Sequence, residues 1–529
     1  MDKVTTSETH STGADANISA LLYGTQWAKP QFSAAATVIT YSFVQQGSSA
    51  LPAGSADFQA GLRSFKPGET DIARAALASI EAVCNVRFLE VPDTGANGST
   101  LRYAFSDAPN QYGFAGFAFF PSTSEHAGEV FIGTRQAAPE WADYLPCLML
   151  HETLHAMGLK HPFEGASQLS ADQDTLINTV MSYSAISGIS GSSLSNYPHE
   201  PMPIDVKTLQ FMYGAAVRNE GDTRYHLDST DLAGGLHVLW DSAGHDTLDA
   251  SGVSVGVALD LRPGAQSNIG SSVTAFGVRT ANGVREMVQE SHESTLTIAE
   301  GCDIEDAIGS NQGDALIGNA LDNRLQGGKG NDTLCGNAGR DALDGGAGID
   351  TAVYSGARAD HVLQVSPSGA TVRDLKGQDG MDTLLGVERI HFADLTVALD
   401  FDGHAAQAAM ILGAVAGRQT LGNAGHVGRV LDLLDQGAGE TEVAAFVIDN
   451  TWGTPVADAD FVNHVYANVI GQAPDAQASA YYTDLLQTGR YTQAGLAIMA
   501  AHTQENALSI DLVGLARTGI VYTPVDAAL

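Results

Sequence analysis

Cysteine is scarce in this sequence. Cys84, Cys147, Cys302 and Cys335 are scattered over 529 residues with no close pair. A secreted scaffold held by disulfides carries them far more densely, so Cys84 and Cys147 are expected as buried thiols. Positive charge is short as well: 26 basic residues stand against 61 acidic ones, a net charge of -35. That excludes sequence-independent nucleic-acid binding, which sets cations against phosphates, and it argues against docking on anionic lipid. No apolar run approaches the roughly 18 residues of a transmembrane helix. Residues 1–17 are polar, without the basic start and apolar stretch of a Sec signal peptide. The chain is therefore expected to stay in the cytosol or to leave by a route that reads another part of it.

In place of these the chain offers length, acid and glycine. Its length calls for roughly two to four domains. The acidity suits calcium on oxygen ligands and keeps an unfolded chain extended and soluble. Glycine recurs every nine residues at Gly309, Gly318, Gly327, Gly336 and Gly345, and the sixth position of each unit is Asp314, Asn323, Asp332, Asp341 or Asp350. Leu316, Leu325, Leu334 and Leu343 follow two places on, and in the fifth unit the apolar residue is read one place later, at Val353. Glycines allow tight turns with exposed carbonyls, aspartate supplies a hard oxygen, and the leucine fills a parallel β-roll. Such units share their ions, so an isolated one would not fold.

A second signal stands earlier, in His151-Glu152-Thr153-Leu154-His155 with Gly158 and His161 behind it. On a helix His151 and His155 project from one face. Gly158 can turn the chain so that His161 supplies a third imidazole. Three neutral imidazoles with an open fourth position make a catalytic zinc arrangement, and Glu152 lies where a general base belongs. Thr179-Val180-Met181-Ser182-Tyr183 follows closely.

Together these segments resemble the metzincin metalloproteases of the serralysin branch, with HExxHxxGxxH, a methionine turn at Met181 and the repeats-in-toxin pattern GGxGxDxUx, cleanest at Gly327–Cys335. The resemblance covers about residues 18 to 400. It implies that Met181 lies beneath the zinc ligands and that Tyr183 bonds the tetrahedral oxyanion. It also implies that the strand at about residues 115–120 edges the sheet above the zinc, where a peptide could add as a further strand. Gly221, Thr223, Asp241, Gly244 and Asp246 look like the family's calcium-holding segments ahead of the roll. Ala243 replaces an expected glycine there.

The expected fold is multidomain. Residues 1–17 form a disordered tail or short prosegment, 18–235 an α+β metzincin catalytic domain, 236–402 a parallel calcium-binding β-roll, and 403–529 an α-helical C-terminal domain. Phe461–Asp475 resembles a helical module attached to many secreted bacterial repeat proteins; it could tether, aid secretion or cap the roll. The expected function is a secreted, calcium-dependent zinc endopeptidase acting on extracellular proteins by glutamate-assisted attack of zinc-bound water, exported by a type I route. The implied partners are protein or peptide substrates and a cell-surface or secretion partner for the helical domain. The alternatives are a non-catalytic calcium-binding adhesion protein and a processing protease dedicated to one surface partner.

Overall fold

In a computed structural model the described residues are 5–6, 15–27, 36–45, 56–95, 98–229, 232, 234–281, 284–453 and 455–525. Most of the tail expected at 1–17, and residues 526–529 of the C-terminal ending, lie outside them. Contacts divide the chain into two compact units, Met1–Leu248 with Leu261–Ile304, and Asp249–Asp260 with Glu305–Leu529.

In the first unit, the apolar stripe Ala73, Ala76, Leu77, Ile80 and Val83 buries one face of the Pro67–Val83 helix. Proline opens that helix, and Glu69 accepts the Lys66 amide at 2.8 Å, satisfying an orphan donor of the first turn. The helix packs on a second one, Leu145–Met157. Beside them runs a five-stranded sheet in the order Val86–Glu90, Thr37–Phe43, Leu101–Ser106, Glu129–Gly133, Gly116–Ala118. The first four strands are parallel, and Gly116–Ala118 joins antiparallel at the edge. The two strands of a long hairpin, Gln266–Ala281 and Val284–Ile298, and the Pro203–Tyr213 helix also belong to this unit.

In the second unit the nine-residue period becomes two stacks of parallel strands. Ala315–Ile317, Thr333–Cys335, Thr351–Val353 and Arg389–His391 form one stack. Asp306–Ile308, Arg324–Lys329, Ala342–Ala347 and Met381–Leu385 form the other. Successive units alternate between stacks, so Leu316 lies on Leu334 and Leu325 on Leu343, all buried. The fifth unit corrects the sequence reading. Ala352, not Val353, lies in register with Leu334 and is fully buried, because strand pairing fixes which residue faces inward. Eight α-helices follow from His404 to Thr518 among the described residues. The chain then returns: Ile520–Tyr522 pairs antiparallel with Thr396–Ala398, itself paired with Arg389–His391. Ala398, Ile520 and Tyr522 share the helices' apolar core, and buried Arg389 binds Asp400 and Asp435.

Candidate metal centres

The Leu145–Met157 helix carries His151, Glu152 and His155, all buried. It ends at Gly158, whose φ of 111° lies in the left-handed region and whose Cα faces the Thr25 carbonyl too closely for a side chain. That turn brings His161 back over the helix. Nε2 of His161 lies 3.2 Å from Nε2 of His151 and 3.1 Å from Nε2 of His155.

The far side of each ring decides what these nitrogens can do. His151 Nδ1–H donates to the Val180 carbonyl at 2.9 Å and His155 Nδ1–H to the Leu159 carbonyl at 2.7 Å. Both Nε2 atoms are thereby left with bare lone pairs. Burial holds the His151 ring neutral by pushing its pKa down to about 3, and that of His155 falls well below its usual value for the same reason. Ligands on a zinc tetrahedron with bonds of roughly 2.0–2.1 Å lie about 3.3–3.4 Å apart. His151 and His155 offer neutral nitrogens, each at nearly that spacing from His161 Nε2, and the three together fit zinc. His161 Nδ1 meets Glu164 at 2.8 Å, and the Tyr183 hydroxyl lies 2.8 Å from His161 Nε2.

Glu152 has one buried oxygen, Oε2, with no hydrogen-bond partner. Burial pushes its carboxyl up to about 8. The edge strand passes directly over it, since a Cβ added at Gly116 would lie 2.8 Å from Oε1. His151, Glu152, Gly116 and Tyr183 open onto one cavity of about 430 Å³, also walled by Leu148, Tyr144, Tyr197 and Ser190–Ser192. Met181 is fully buried. Its turn is pinned by Asp205, which the sequence reading assigned no role at the site. Thr179 Oγ1 donates to one Asp205 oxygen at 2.6 Å, and the Val180 and Met202 amides donate to the other at 2.7 and 3.0 Å. Because Val180 also holds His151, Asp205 acts on the metal site through one residue.

The repeats show a different donor set. One oxygen of each repeat carboxylate caps the amide 18 residues earlier: Asp332 takes Asp314 N, Asp341 takes Asn323 N, and Asp350 takes Asp332 N, each at 2.8 Å. The second oxygens of Asp332, Asp341 and Asp350 are buried without a hydrogen-bond partner. The Gly345 carbonyl and Asp332 Oδ2 crowd the same space beside Gly327, and Asp341 Oδ2 crowds Gly336. Oxygen-only donors with uncapped carboxylates fit calcium. Burial, reinforced by Asp350 and Asp314, pushes Asp332 up to about 7, and burial raises Asp341 and Asp350 too.

Asp314 and Asn323 differ. Asp314 accepts from Ser310 and Val257, while Asn323 both accepts from and donates to Asn319, so hydrogen bonds already occupy both. Two acids that the sequence reading missed continue the ladder instead: Asp382 takes Asp341 N at 3.2 Å and Glu388 takes Asp350 N at 2.9 Å. The signal existed, because Gly377-Gln378-Asp379-Gly380-Met381-Asp382-Thr383-Leu384 repeats the unit. The His361–Asp374 hairpin displaces it from the nine-residue count. Upstream, Thr223 N donates to Asp246 Oδ1 at 2.8 Å. Gly244, at φ 142°, lies against both Asp246 Oδ1 and the Gly221 carbonyl. Asp241 accepts from Tyr225 and from the Ala243 amide.

Two stretches of the chain match family models, and about half of it is similar to known proteins. Residues 317–352 match the RTX calcium-binding nonapeptide repeat (4 copies), and residues 444–510 match a domain of unknown function, DUF4214. Serralysin G of Dickeya chrysanthemi is 29% identical over 314 residues, 54% of this chain and 60% of the relative. Serralysin B of the same organism is 30% identical over 318 residues, 55% of this chain and 61% of the relative. Metallopeptidase AprA of Pseudomonas marginalis is 30% identical over 317 residues, 54% and 61% of the two chains. The chain is thus similar to metalloproteases, and within them to the serralysin type with repeats-in-toxin units. It spans about 60% of the length of these curated relatives.

Proposed function

We propose that the chain is a secreted, calcium-dependent zinc endopeptidase that cleaves extracellular proteins. The observation that carries this reading is the meeting of three imidazole nitrogens, two of them fixed as bare lone pairs, beside a buried glutamate with a free oxygen. In this reading residues 18–235 are a metzincin catalytic domain, 236–402 a parallel β-roll and 403–529 a helical domain.

His151, His155 and His161 would hold zinc through Nε2. Zinc there supplies a Lewis acid that lowers the pKa of water towards about 7 and polarises a carbonyl. Ionised beside a bound cation, which favours the carboxylate form, Glu152 would take the proton of the attacking water on its free oxygen and return it to the leaving amine. The Tyr183 hydroxyl, already within reach of His161, donates to the developing oxyanion. A substrate peptide pairs with the edge strand Gly116–Ala118 through main-chain hydrogen bonds, placing its carbonyl over Glu152. The side chain beside the scissile bond enters the 430 Å³ cavity.

Calcium completes the roll. In its absence the aspartates repel and the chain stays open, which suits passage through a narrow type I exporter. Outside the cell roughly millimolar calcium orders it. A surface or secretion partner would use the helical domain.

The test is hydrolysis of casein or a fluorogenic peptide by wild type and Glu152→Ala in calcium. Loss of roughly 10²- to 10⁴-fold in the variant with zinc retained is expected. Equal activity in the two proteins overturns the assignment of the base, and no activity in either overturns the protease reading.

A further inference from the structure

The Gln266–Ala281 strand of the long hairpin serves two partners. Besides its mate Val284–Ile298, it pairs through Ala275 and Phe276 with Leu194 and Ser193. Ser195 N donates to the Thr274 carbonyl at 2.7 Å, and Thr274 N returns a bond to Ser195 Oγ at 3.0 Å. The segment so held is the one that walls the active-site cavity. Gly191 and Ser192 line that cavity, and the Gly191 amide donates to the Tyr183 carbonyl at 2.8 Å. Ser192 Oγ accepts the Ala185 and Ile186 amides, both at 2.8 Å, which folds the loop on itself. Contacts therefore run without a gap from the hairpin to the backbone of Tyr183.

The hairpin also packs closely on the loop at Gly277. A Cβ there would lie 3.1 Å from Ile189 and 3.2 Å from both Ile186 and Ser192. Glycine serves close approach at this position, with no backbone strain involved.

We propose that the hairpin is a positioning element of the active site. By holding Ser193–Ser195 and packing Gly277 on Ile186, Ile189 and Ser192, it sets the cavity wall and so decides which substrate side chain fits beside the scissile bond. The inference rests on the protease reading, because it assigns the cavity to a peptide side chain. Gly277→Val presses on Ile186, Ile189 and Ser192 and is expected to shift the cavity wall inward, whereas Met287→Ala alters an exposed side chain that pairs with Val278, on the opposite face of the hairpin from Gly277.

The experiment compares kcat/KM for peptides with alanine or phenylalanine after the scissile bond. Gly277→Val is expected to lower the phenylalanine-to-alanine ratio by roughly 10-fold, with Met287→Ala unchanged. An unchanged ratio in Gly277→Val overturns the proposal. Should Gly277→Val fail to fold, Ser195→Ala loosens one tie alone; a changed phenylalanine-to-alanine ratio supports the proposal and an unchanged one overturns it. If the wild type cleaves no peptide, the protease reading fails by itself. Amide exchange then decides the hairpin's role: faster exchange at Gly191 in Gly277→Val supports it and unchanged exchange overturns it.

Discussion

The two metal centres of this chain are built on opposite principles. Around His151, His155 and His161 the protein has arranged the ligands beforehand. Backbone carbonyls fix the tautomers of His151 and His155, burial keeps those two rings neutral, and Asp205 pins the turn beneath them. In the repeats the protein has arranged only half of each ligand. One oxygen of Asp332, Asp341 and Asp350 caps the backbone, while the other is buried and open. Neutral ligands can wait for their ion at little cost. Buried like-charged carboxylates cannot, so the calcium region depends on its ion for its own folding.

The largest effect is expected from removing residues 403–529. Arg389 would lose Asp435, and Ala398 would lose its apolar neighbours. Arg389 would keep Asp400, so the loss comes mainly from baring apolar surface that the helices cover, at about 25 cal/mol per Å². A lower midpoint for the repeats in urea, with short-peptide hydrolysis kept, is the expected outcome; an unchanged midpoint would show that the helices do not support the repeats.

Next comes Asp205→Asn. Its amide must set N–H groups against the donors that now bind a carboxylate, at a cost of about 2–3 kcal/mol. Zinc affinity and thermal stability should fall together. Unchanged zinc affinity would detach Asp205 from the metal site.

The pH response should separate the two centres further. Asp332 sits near 7 in the folded protein, above the ordinary carboxylate range. Between that range and about 7 the calcium-free folded state therefore holds a proton that the unfolded state has lost. Stability should fall as pH rises through this window and level off above it. With calcium bound, protons compete with the ion, so the trend should reverse. Melts at pH 5 and 7.5, with and without calcium, check the sign.

The smallest effect lies within the repeats. Asp314→Asn should weaken calcium binding less than Asp332→Asn, because Ser310 and Val257 already bond Asp314. Calorimetric titration would show it, and equal losses would contradict the distinction.

What was legible in the sequence follows the same division. The three imidazoles that meet lie within eleven residues, on one helix and the turn after it, so local periodicity was enough to bring them together. The repeat carboxylates were legible while the count of nine held. The count was lost where a hairpin intervenes, so Asp382 and Glu388 needed the strand register to be found. In the fifth unit the one-place shift to Val353 is not what the strands show: register places Ala352 on Leu334. Asp205 lay open in the sequence on an ordinary helix, and only tertiary contact with Thr179 and Val180 gives it a role. The hairpin's second pairing, with Ser193–Leu194, joins segments some 80 residues apart and leaves no local signal.

The most direct measurement is a pair of thermal melts, one after selective removal of zinc and one after selective removal of calcium. A preformed zinc site and an ion-built calcium region require the larger fall in melting temperature on loss of calcium. At a hundredfold excess over its dissociation constant, each calcium contributes about 2.7 kcal/mol. A larger fall on loss of zinc would contradict the account.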